Sequence, residues 1–336
     1  MTHHIFYLGD VRESLRGMEP QSVNTCVTSP PYWGLRDYGE DGQLGLEPTP
    51  EQYVANMVEV FREVKRVLRD DGTLWLNLGD SYIANKTGGL SSEPSKMTGG
   101  RATQSAATHR PDKKADGLKP KDLVGIPWRV AFALQADGWY LRSDIIWHKP
   151  NPMPESVTDR PTKAHEYIFL LSKSQRYYYD HEAVKEEAVN EGKIVQCGPN
   201  SRADVDRVPR ESLKQDLVAN RRYTGFNERW ANKPVEGRNK RTVWTVATQP
   251  FAEAHFATFP PELIRPCILA GSPKGGIVLD PFGGSGTTTL VASEEGRDSV
   301  YIDLSKEYMD IALRRCGFVG GKLFDVNTHE IRRLGR

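Results

Sequence analysis

Short apolar runs separated by polar or glycine-rich turns divide the first part of the chain into alternating elements. Residues 4–10 (HIFYLGD), 23–32 (VNTCVTSPPY) and 73–80 (TLWLNLGD) have the apolar pattern of short buried strands. Between the last two, apolar residues recur at helical spacing from Thr49 to Leu68, and the sequence DDG that follows is predicted to end the helix. Strands and helices in alternation are typical of a parallel sheet covered by helices.

The same alternation returns later in the chain. It predicts a helix near 127–136, strands at 141–149 and 165–174, and a helix that Gly271 closes. A strand, a glycine turn and a helix follow within 276–296, and a last strand and helix come after them. Neither half of the sequence has enough strands for a sheet of its own. We therefore predict that both halves share one doubly wound, mostly parallel α/β sheet.

Two long polar segments interrupt this pattern. Residues 84–122 are rich in Gly, Ser, Thr, Lys and Pro and carry 8 basic and 4 acidic residues, which predicts a mobile basic loop. In residues 184–243 the hydrophobic periodicity fades, 13 basic residues face 9 acidic ones, and aromatic residues are interleaved. Such a segment is either a solvated insertion or a nucleic-acid contact surface. We predict one domain built from 1–183 and 244–336, with 184–243 inserted.

The overall composition is that of a soluble globular protein, with 38% hydrophobic and 26% charged residues in a chain of 336. The four cysteines are scattered and form no CxxC pair, which argues against a structural zinc site or a disulfide framework and favours a reducing cytoplasm. The sequence has no run of about 18 apolar residues and no signal-peptide core, so neither membrane insertion nor secretion is expected.

A glycine-rich turn follows one of the later predicted strands, in residues 278–292 (VLDPFGGSGTTTLVA). Gly284 and Gly286 allow a tight turn and the close approach of a ligand to the backbone. The next strand ends at Asp303, where a carboxylate can hold a ribose diol. A dinucleotide fingerprint would place a third glycine where this chain has Thr289. The sequence therefore predicts a nucleoside-containing ligand other than a dinucleotide.

The sequence TSPPYW, where the second predicted strand stops at its prolines, combines stiffness, hydrogen-bonding groups and aromatic rings. Because the prolines fix φ, the carbonyl of Pro30 cannot swing away, and the hydroxyl of Ser29 lies beside it. Two acceptors suit an exocyclic amine, whose lone pair is delocalised into a ring, since they can hold both N–H bonds and direct the lone pair at an electrophile. Tyr32 offers a face on which an extruded base can stack.

The order of these motifs resembles the β-group of amino-DNA methyltransferases: TSPPYW in the N-terminal half, a basic variable segment, and then DPFGGSGTT near the C-terminus. The sequences YLGD, LNLGDSY, IIWHKPNPMPES and HFATFPPELI also look like motifs of that group, so the resemblance covers nearly the whole chain. It implies a Rossmann-like methyltransferase fold with a circularly permuted motif order. It also implies S-adenosyl-L-methionine as cofactor, no metal, and residues 184–243 as the target-recognition segment.

The resemblance also assigns roles to individual residues. The amine site is expected to comprise Ser29, Pro30, Pro31 and Tyr32. The cofactor site is expected to comprise Asp10, Phe259, Pro260, Asp280, Pro281, Phe282, Gly284, Gly286, Thr287 and Asp303. DNA contacts are expected from Trp33, His148, Lys149, Arg221, Arg222, Arg238, Lys240 and Arg241. For Asp10 a helix-capping acid is the alternative, and for the segment around His148 and Lys149 a packing cluster at a strand end is the alternative. Cys267 lies in an apolar helical pattern and is predicted to be core.

The function that the resemblance implies is site-specific methylation of double-stranded DNA, by direct transfer to a flipped base. Family members with Asp before the two prolines mostly methylate adenine N6, and those with Ser mostly methylate cytosine N4. Ser29 therefore predicts cytosine N4, with adenine N6 as the alternative. More distant alternatives are an RNA or small-molecule methyltransferase and a non-catalytic nucleic-acid-binding module. We also expect a bacterial, archaeal or phage protein, monomeric or homodimeric, with a cognate restriction endonuclease as a candidate partner.

Overall fold

A mostly parallel sheet flanked by helices is the centre of the protein. The computed structural model describes residues 2–35, 37–83, 117–188, 237–249, 258–318 and 328–333. Its strands are β1 (His3–Leu8), β2 (Val23–Thr28), β3 (Leu68–Leu78), β4 (Tyr140–His148), β5 (His165–Ser172), β6 (Val243–Thr245), β7 (Ile277–Asp280), β8 (Asp298–Asp303) and β9 (Thr328–Arg333). Its helices are α1 (Val11–Arg16), α2 (Pro50–Val67), α3 (Ile126–Ala136), α4 (Pro261–Gly271), α5 (Thr287–Glu294) and α6 (Lys306–Arg315).

The two sequence halves interleave in this sheet. Within the described residues its nine strands lie in the order β6-β4-β5-β3-β2-β7-β8-β1-β9. Strand β5 runs antiparallel to both β3 and β4, and the other neighbours are parallel. The C-terminal strand β7 pairs with β2, and β1 lies between the C-terminal strands β8 and β9. The predicted fold class and the prediction of one sheet shared by both halves are confirmed.

Helix α2 shows why the periodic segments were predictable. Its first turn is capped by Thr49, whose hydroxyl accepts the N–H of Gln52 at 3.2 Å, and Pro50 occupies the first helical position. Its buried face includes Met57 and Phe61, both fully excluded from solvent. The apolar spacing in the sequence therefore corresponds to the face that packs on the core.

Helix α2 ends just before the DDG sequence that was predicted to end it, and DDG itself belongs to the next strand. The helix ends at Val67, and Leu68 is already extended, with φ −67° and ψ 142°. Strand β3 begins there and includes residues 70–72, of which Asp70 and Asp71 are exposed. Leu68 is fully buried, but residues 69–71 are exposed, which explains why this polar part of β3 was not recognised as strand.

Three short elements were not predicted from the sequence: α1, β6 and β9. Helix α1 has six residues and β6 has three, too few to show a hydrophobic period. Strand β6 pairs in parallel with β4 through Trp244, which is 7% exposed. The strands among these elements form because they pair with distant strands in the folded chain, which their own sequence pattern does not reveal.

The chain divides into two compact units, Met1–Asp180 with Arg241–Arg336, and His181–Lys240. The first unit contains the whole sheet. In the described part of the second, Glu186 and Arg238 exchange two backbone hydrogen bonds, of 2.9 and 2.8 Å. Most of the predicted loop 84–122 lies outside the described residues, as does most of 184–243. No described helix is long and apolar enough to span a membrane.

Candidate active site

The two principal motifs meet at the carboxyl ends of the central parallel strands. The TSPPYW segment follows β2, and the glycine turn follows its neighbour β7. The hydroxyl of Thr28 donates to the carboxylate of Asp280 at 2.7 Å, across 252 residues of sequence. In parallel α/β sheets ligands bind beyond the carboxyl ends of the strands. The fold therefore places the predicted amine site and the predicted cofactor turn side by side.

Close backbone packing shapes the glycine turn. The N–H of Gly283 donates to the carbonyl of Ile302 at 2.9 Å, and the hydroxyl of Tyr301 donates to the carbonyl of Gly284 at 2.7 Å. A Cβ at Gly283 would lie 2.1 Å from the Tyr301 ring. Gly286, the N-cap of α5, has φ 76°, a conformation that side chains disfavour. These glycines let the turn lie directly against β8.

Asp280 is a buried acid that holds the turn from inside. Besides Thr28, it accepts the hydroxyl of Thr288 at 2.6 Å and the N–H of Phe282 at 3.1 Å. Burial raises the pKa of Asp280 to about 6, although these three hydrogen bonds act in the opposite direction. Asp280 therefore joins β2, β7 and α5 at the base of the site.

Asp303 lies at the end of β8, against the same turn. Its two carboxylate oxygens accept the N–H groups of Gly284 and Ser305, both at 2.8 Å. Burial raises the pKa of Asp303 to about 6, and the nearby charge of Asp280 adds to the effect. A carboxylate held by backbone N–H groups next to a glycine turn is suited to accept hydrogen bonds from a ribose. These residues thus fit the nucleoside ligand expected from the sequence.

Asp10 caps α1, the alternative that the sequence had left open. Its carboxylate accepts the N–H groups of Arg12 at 2.8 Å and Glu13 at 3.2 Å, and the Arg12 guanidinium lies 3.1 Å away. Partial burial acts to raise the pKa of Asp10, but the hydrogen bonds and charge of Arg12 outweigh it and the pKa lies below its usual value. A contact of Asp10 with the cofactor stays a prediction.

The remaining predicted cofactor residues differ in accessibility. Thr287 is 2% exposed, and its hydroxyl accepts a hydrogen bond from Arg315 at 2.8 Å. Its side chain therefore holds α5 to α6, and a direct contact with the cofactor would require this packing to open. Pro260 is buried at the start of α4 and Phe259 is half-buried beside it. Pro281 is buried within the glycine turn.

The TSPPYW segment is fixed by contacts on several sides. The hydroxyl of Tyr53, on α2, donates to the carbonyl of Pro31 at 2.9 Å. Gly79, just beyond β3, lies so close to Tyr32 that a Cβ there would be 2.5 Å from its ring. The packing against Gly79 sets the position of the Tyr32 ring. Stacking of an extruded base on the face of the Tyr32 ring stays a prediction.

The Tyr32 hydroxyl lies in a polar cluster that the sequence had not indicated. It receives a hydrogen bond from the Ser29 hydroxyl at 3.3 Å, and its single hydrogen lies within reach of two acceptors, Glu166 at 2.8 Å and Asn77 at 3.0 Å. Burial, with the neighbouring charge of Glu166, raises the pKa of Tyr32 well above its usual value. Polar residues in apolar strands were the available signal: Asn77 stands within LWLNL and Glu166 within HEYIFLL.

Trp33 and Lys149, both predicted to contact DNA, have other contacts. Trp33 is 2% exposed and its indole N–H donates to the carbonyl of Glu47 at 2.8 Å, so a DNA contact would require this packing to open, and it stays a prediction. Lys149 forms an ion pair with Glu166 and lies 4.2 Å above the Trp147 ring. Its ammonium is thereby part of the polar cluster, which favours the packing alternative for this residue.

The other predicted DNA contacts lie on the surface or outside the described residues. His148 is exposed at the end of β4, and Arg241 is exposed just before β6. Arg238 and Lys240 both lie near the carboxylate of Glu186, at 3.5 and 3.7 Å. Arg221 and Arg222 are outside the described residues. Cys267 is fully buried, which confirms the prediction that it is a core residue.

A family model described as a DNA methylase matches residues 23–314. The chain belongs to this N6/N4 DNA methylase family. The DNA methylase is 50% identical over 307 residues to the Type II methyltransferase M.Cfr9I of Citrobacter freundii, with 91% of this chain and 85% of that protein covered. It is 46% identical over 308 residues to the Type II methyltransferase M.SmaI of Serratia marcescens, with 92% and 89% covered.

Solved structures with the same fold support the architecture. The TTHA0409 protein of Thermus thermophilus, solved with S-adenosyl-L-methionine, matches with a TM-score of 0.55 and 22% identity, covering 98% of this chain and 99% of its own. The PvuII cytosine-N4-specific DNA methyltransferase matches with a TM-score of 0.58 and 18% identity, covering 94% and 86%. The DNA methylase family depends on S-adenosyl-L-methionine, and the residues of the glycine turn fit that nucleoside cofactor.

Proposed function

We propose that this DNA methylase methylates the exocyclic N4 amine of cytosine in double-stranded DNA. The observation that carries the proposal is Ser29, a neutral hydroxyl where relatives that methylate adenine mostly have a carboxylate. Its hydroxyl donates to Tyr32 and keeps its lone pairs available as acceptors. A carboxylate would accept only, and would exert a stronger pull on the amine.

The chain's own residues provide the acceptors that the chemistry needs. The amine lone pair of a nucleobase is delocalised into the ring, so the nitrogen becomes nucleophilic only when its N–H bonds are held out of the ring plane. Ser29 and the carbonyl of Pro30 are the two groups that we assign to this task, and Tyr53 fixes the segment through Pro31. When bound, S-adenosyl-L-methionine supplies an electrophilic methyl group, and Asp303 with the glycine turn would hold its nucleoside part.

Residues 184–243 are the segment that we assign to target recognition. Its excess of basic residues suits a polyanionic partner, and its interleaved aromatic residues suit contact with bases. Because the amine of a paired base is not accessible to the site, the target cytosine would be flipped out of the duplex. The names of the relatives as Type II methyltransferases support a place beside a cognate restriction endonuclease.

The methylated nucleoside identifies the accepted base directly. Duplex DNA modified by the purified protein is digested to nucleosides and analysed by mass spectrometry, with Ser29→Ala as the matched control. We expect N4-methyldeoxycytidine from the wild type and roughly 10–1000-fold less of it from the control, because the lost acceptor acts mainly in the transition state. N6-methyldeoxyadenosine as the sole product would reject cytosine while leaving the family and the acceptor roles intact.

A further inference from the structure

The polar cluster behind Ser29 forms a continuous line of hydrogen bonds into the sheet. From Ser29 the line passes to the Tyr32 hydroxyl, then to a carboxylate oxygen of Glu166, whose other oxygen is ion-paired with Lys149. The side chains of Glu166 and Lys149 are only 16% and 17% exposed. A half-buried carboxylate at the end of a hydrogen-bond line from the amine site needs an explanation beyond packing.

The direction of each hydrogen bond in this line is fixed by counting donors. Tyr32 has a single hydroxyl hydrogen, and two acceptors compete for it: Glu166 at 2.8 Å and Asn77 at 3.0 Å. The Tyr32 hydrogen is therefore committed away from Ser29. In the Ser29–Tyr32 contact Ser29 must be the donor, and it then faces the target amine with lone pairs only.

The orientation of Asn77 supports this count. Its amide nitrogen donates to the carbonyl of Tyr167 at 3.0 Å and approaches Glu166 at 3.4 Å. A flipped amide would set two oxygens, those of Asn77 and Tyr167, against each other. The amide oxygen consequently faces Tyr32, and Asn77 offers the phenol an acceptor and no donor.

We propose that Glu166 is a positioning residue that sets the direction of this hydrogen-bond line, so that Ser29 meets the target amine as an acceptor. This inference rests on the proposed role of Ser29. The charge-assisted bond from Tyr32 to Glu166 is the stronger of the two that compete for the phenol hydrogen. Lys149 balances the carboxylate charge from the opposite side. Without Glu166 only the neutral acceptor Asn77 competes with Ser29 for the phenol hydrogen, so Tyr32 donates to Ser29 more often and Ser29 then presents a hydrogen to the amine.

The same direction gives the released proton a path. Once the amine nitrogen has gained a methyl group it is cationic and must lose one proton. The N–H bond breaks as a bond forms to the Ser29 oxygen, the Ser29 hydrogen moves to Tyr32, and the Tyr32 hydrogen moves to Glu166. Glu166 ends as a neutral acid beside the Lys149 ammonium, and its proton then leaves to solvent. No step requires an oxidant or a further reactant.

A double-mutant cycle on the full chain tests the line, because only residues that act through one another are non-additive. Wild type, Glu166→Gln, Tyr32→Phe and the double variant are compared by single-turnover methylation of duplex DNA. Affinities for S-adenosyl-L-methionine and for DNA are measured by calorimetry. We expect each single variant to be about 10–1000-fold slower, the double variant to be no slower than the slower single one, and both affinities to stay within about twofold.

A matched substitution controls for the loss of an ion pair as such. Glu63 on α2 pairs with Arg66 at 2.8 Å, with its side chain 26% exposed, and lies outside the cluster. Glu63→Gln should keep the wild-type rate. If Glu166→Gln fails to fold, Glu166→Asp takes its place in the cycle, since it keeps the charge near Lys149 but withdraws the oxygen from Tyr32.

Two results would overturn the inference. Multiplicative losses in the double variant would show that Glu166 acts independently of Tyr32, and a wild-type rate for Glu166→Gln would show that it does not act. Ser29→Ala in the same assay separates this failure from failure of the proposed function. A slow Ser29→Ala with a fast Glu166→Gln rejects only the hydrogen-bond line, whereas a fast Ser29→Ala rejects the amine site itself.

Discussion

Asp280 and Asp303, at the ends of two neighbouring strands, have different partners and so different consequences for function. Asp280 is 1% exposed and its hydrogen bonds come from protein hydroxyls and an N–H group. Asp303 is half-buried, and its known donors are two backbone N–H groups of the site. Each carboxylate oxygen can accept more than one hydrogen bond, so Asp303 retains capacity for a ligand.

At the residue scale, Asp303→Asn should weaken the affinity for S-adenosyl-L-methionine by about 1–3 kcal/mol, because a ribose hydroxyl loses its charged acceptor. The pKa of Asp303 is about 6, so the wild-type affinity should fall as the pH drops through that value and the carboxylate is protonated. The variant should lack most of this dependence. Calorimetry between pH 5 and 8 measures both effects, with Asp298→Asn, at the other end of β8, as control. Equal affinities at pH 8 would reject the ribose contact.

Individual residues were predictable where a local motif carried them and not where distant contacts defined them. Ser29 and Asp303 stand in recognisable local sequences. Glu166 meets Tyr32 across 134 residues, a pairing that no local spacing reveals. Trp33 is the opposite case: it stands in the motif, but the sequence does not show that its ring turns into the core.

At the element scale, the position of the TSPPYW segment is set by contacts with neighbouring elements. Strand β3 ends one residue before Gly79, and α2 supplies Tyr53. The long periodic elements were predicted well because their hydrophobic faces extend over several turns or pleats. The short elements α1, β6 and β9 and the polar start of β3 were not, since tertiary pairing defines them.

The close packing of Gly79 against the Tyr32 ring predicts that one added methyl group lowers both stability and turnover. Gly79→Ala places a Cβ 2.5 Å from the Tyr32 ring, so the ring must move. We expect a loss of about 1–3 kcal/mol in the free energy of unfolding, typical of overpacking, together with an at least tenfold lower turnover. Gly17→Ala is the control, because its Cβ would meet ordinary contacts of 3.5 Å at φ −74°. Urea unfolding and methylation assays decide, and wild-type turnover in Gly79→Ala would contradict the prediction.

At the scale of the whole molecule, the sheet cannot form from the N-terminal half alone. Strand β1 pairs only with β8 and β9 among the described strands, and β2 borders β7 on one side. A fragment of residues 1–182 would leave β1 without neighbours and β2 with an open edge. We expect it to lack cooperative unfolding in urea under conditions where the full chain unfolds cooperatively. A sharp transition in the fragment would show that the N-terminal half folds alone.

The hydrogen bond between Thr28 and Asp280 also has a consequence for how the protein is made. The two residues are 252 positions apart, and ribosomes add about 5–20 residues per second. Strand β2 is therefore synthesised on the order of 10–50 seconds before Asp280 and strand β7, which it pairs with. During translation the nascent chain therefore exposes unpaired strand edges, which is when chaperones matter most. Neither the glycine turn nor Asp303 exists until the last part of the chain is being synthesised. Prematurely terminated products should accordingly be inactive and prone to aggregate, so the cell obtains methylation only from completed chains.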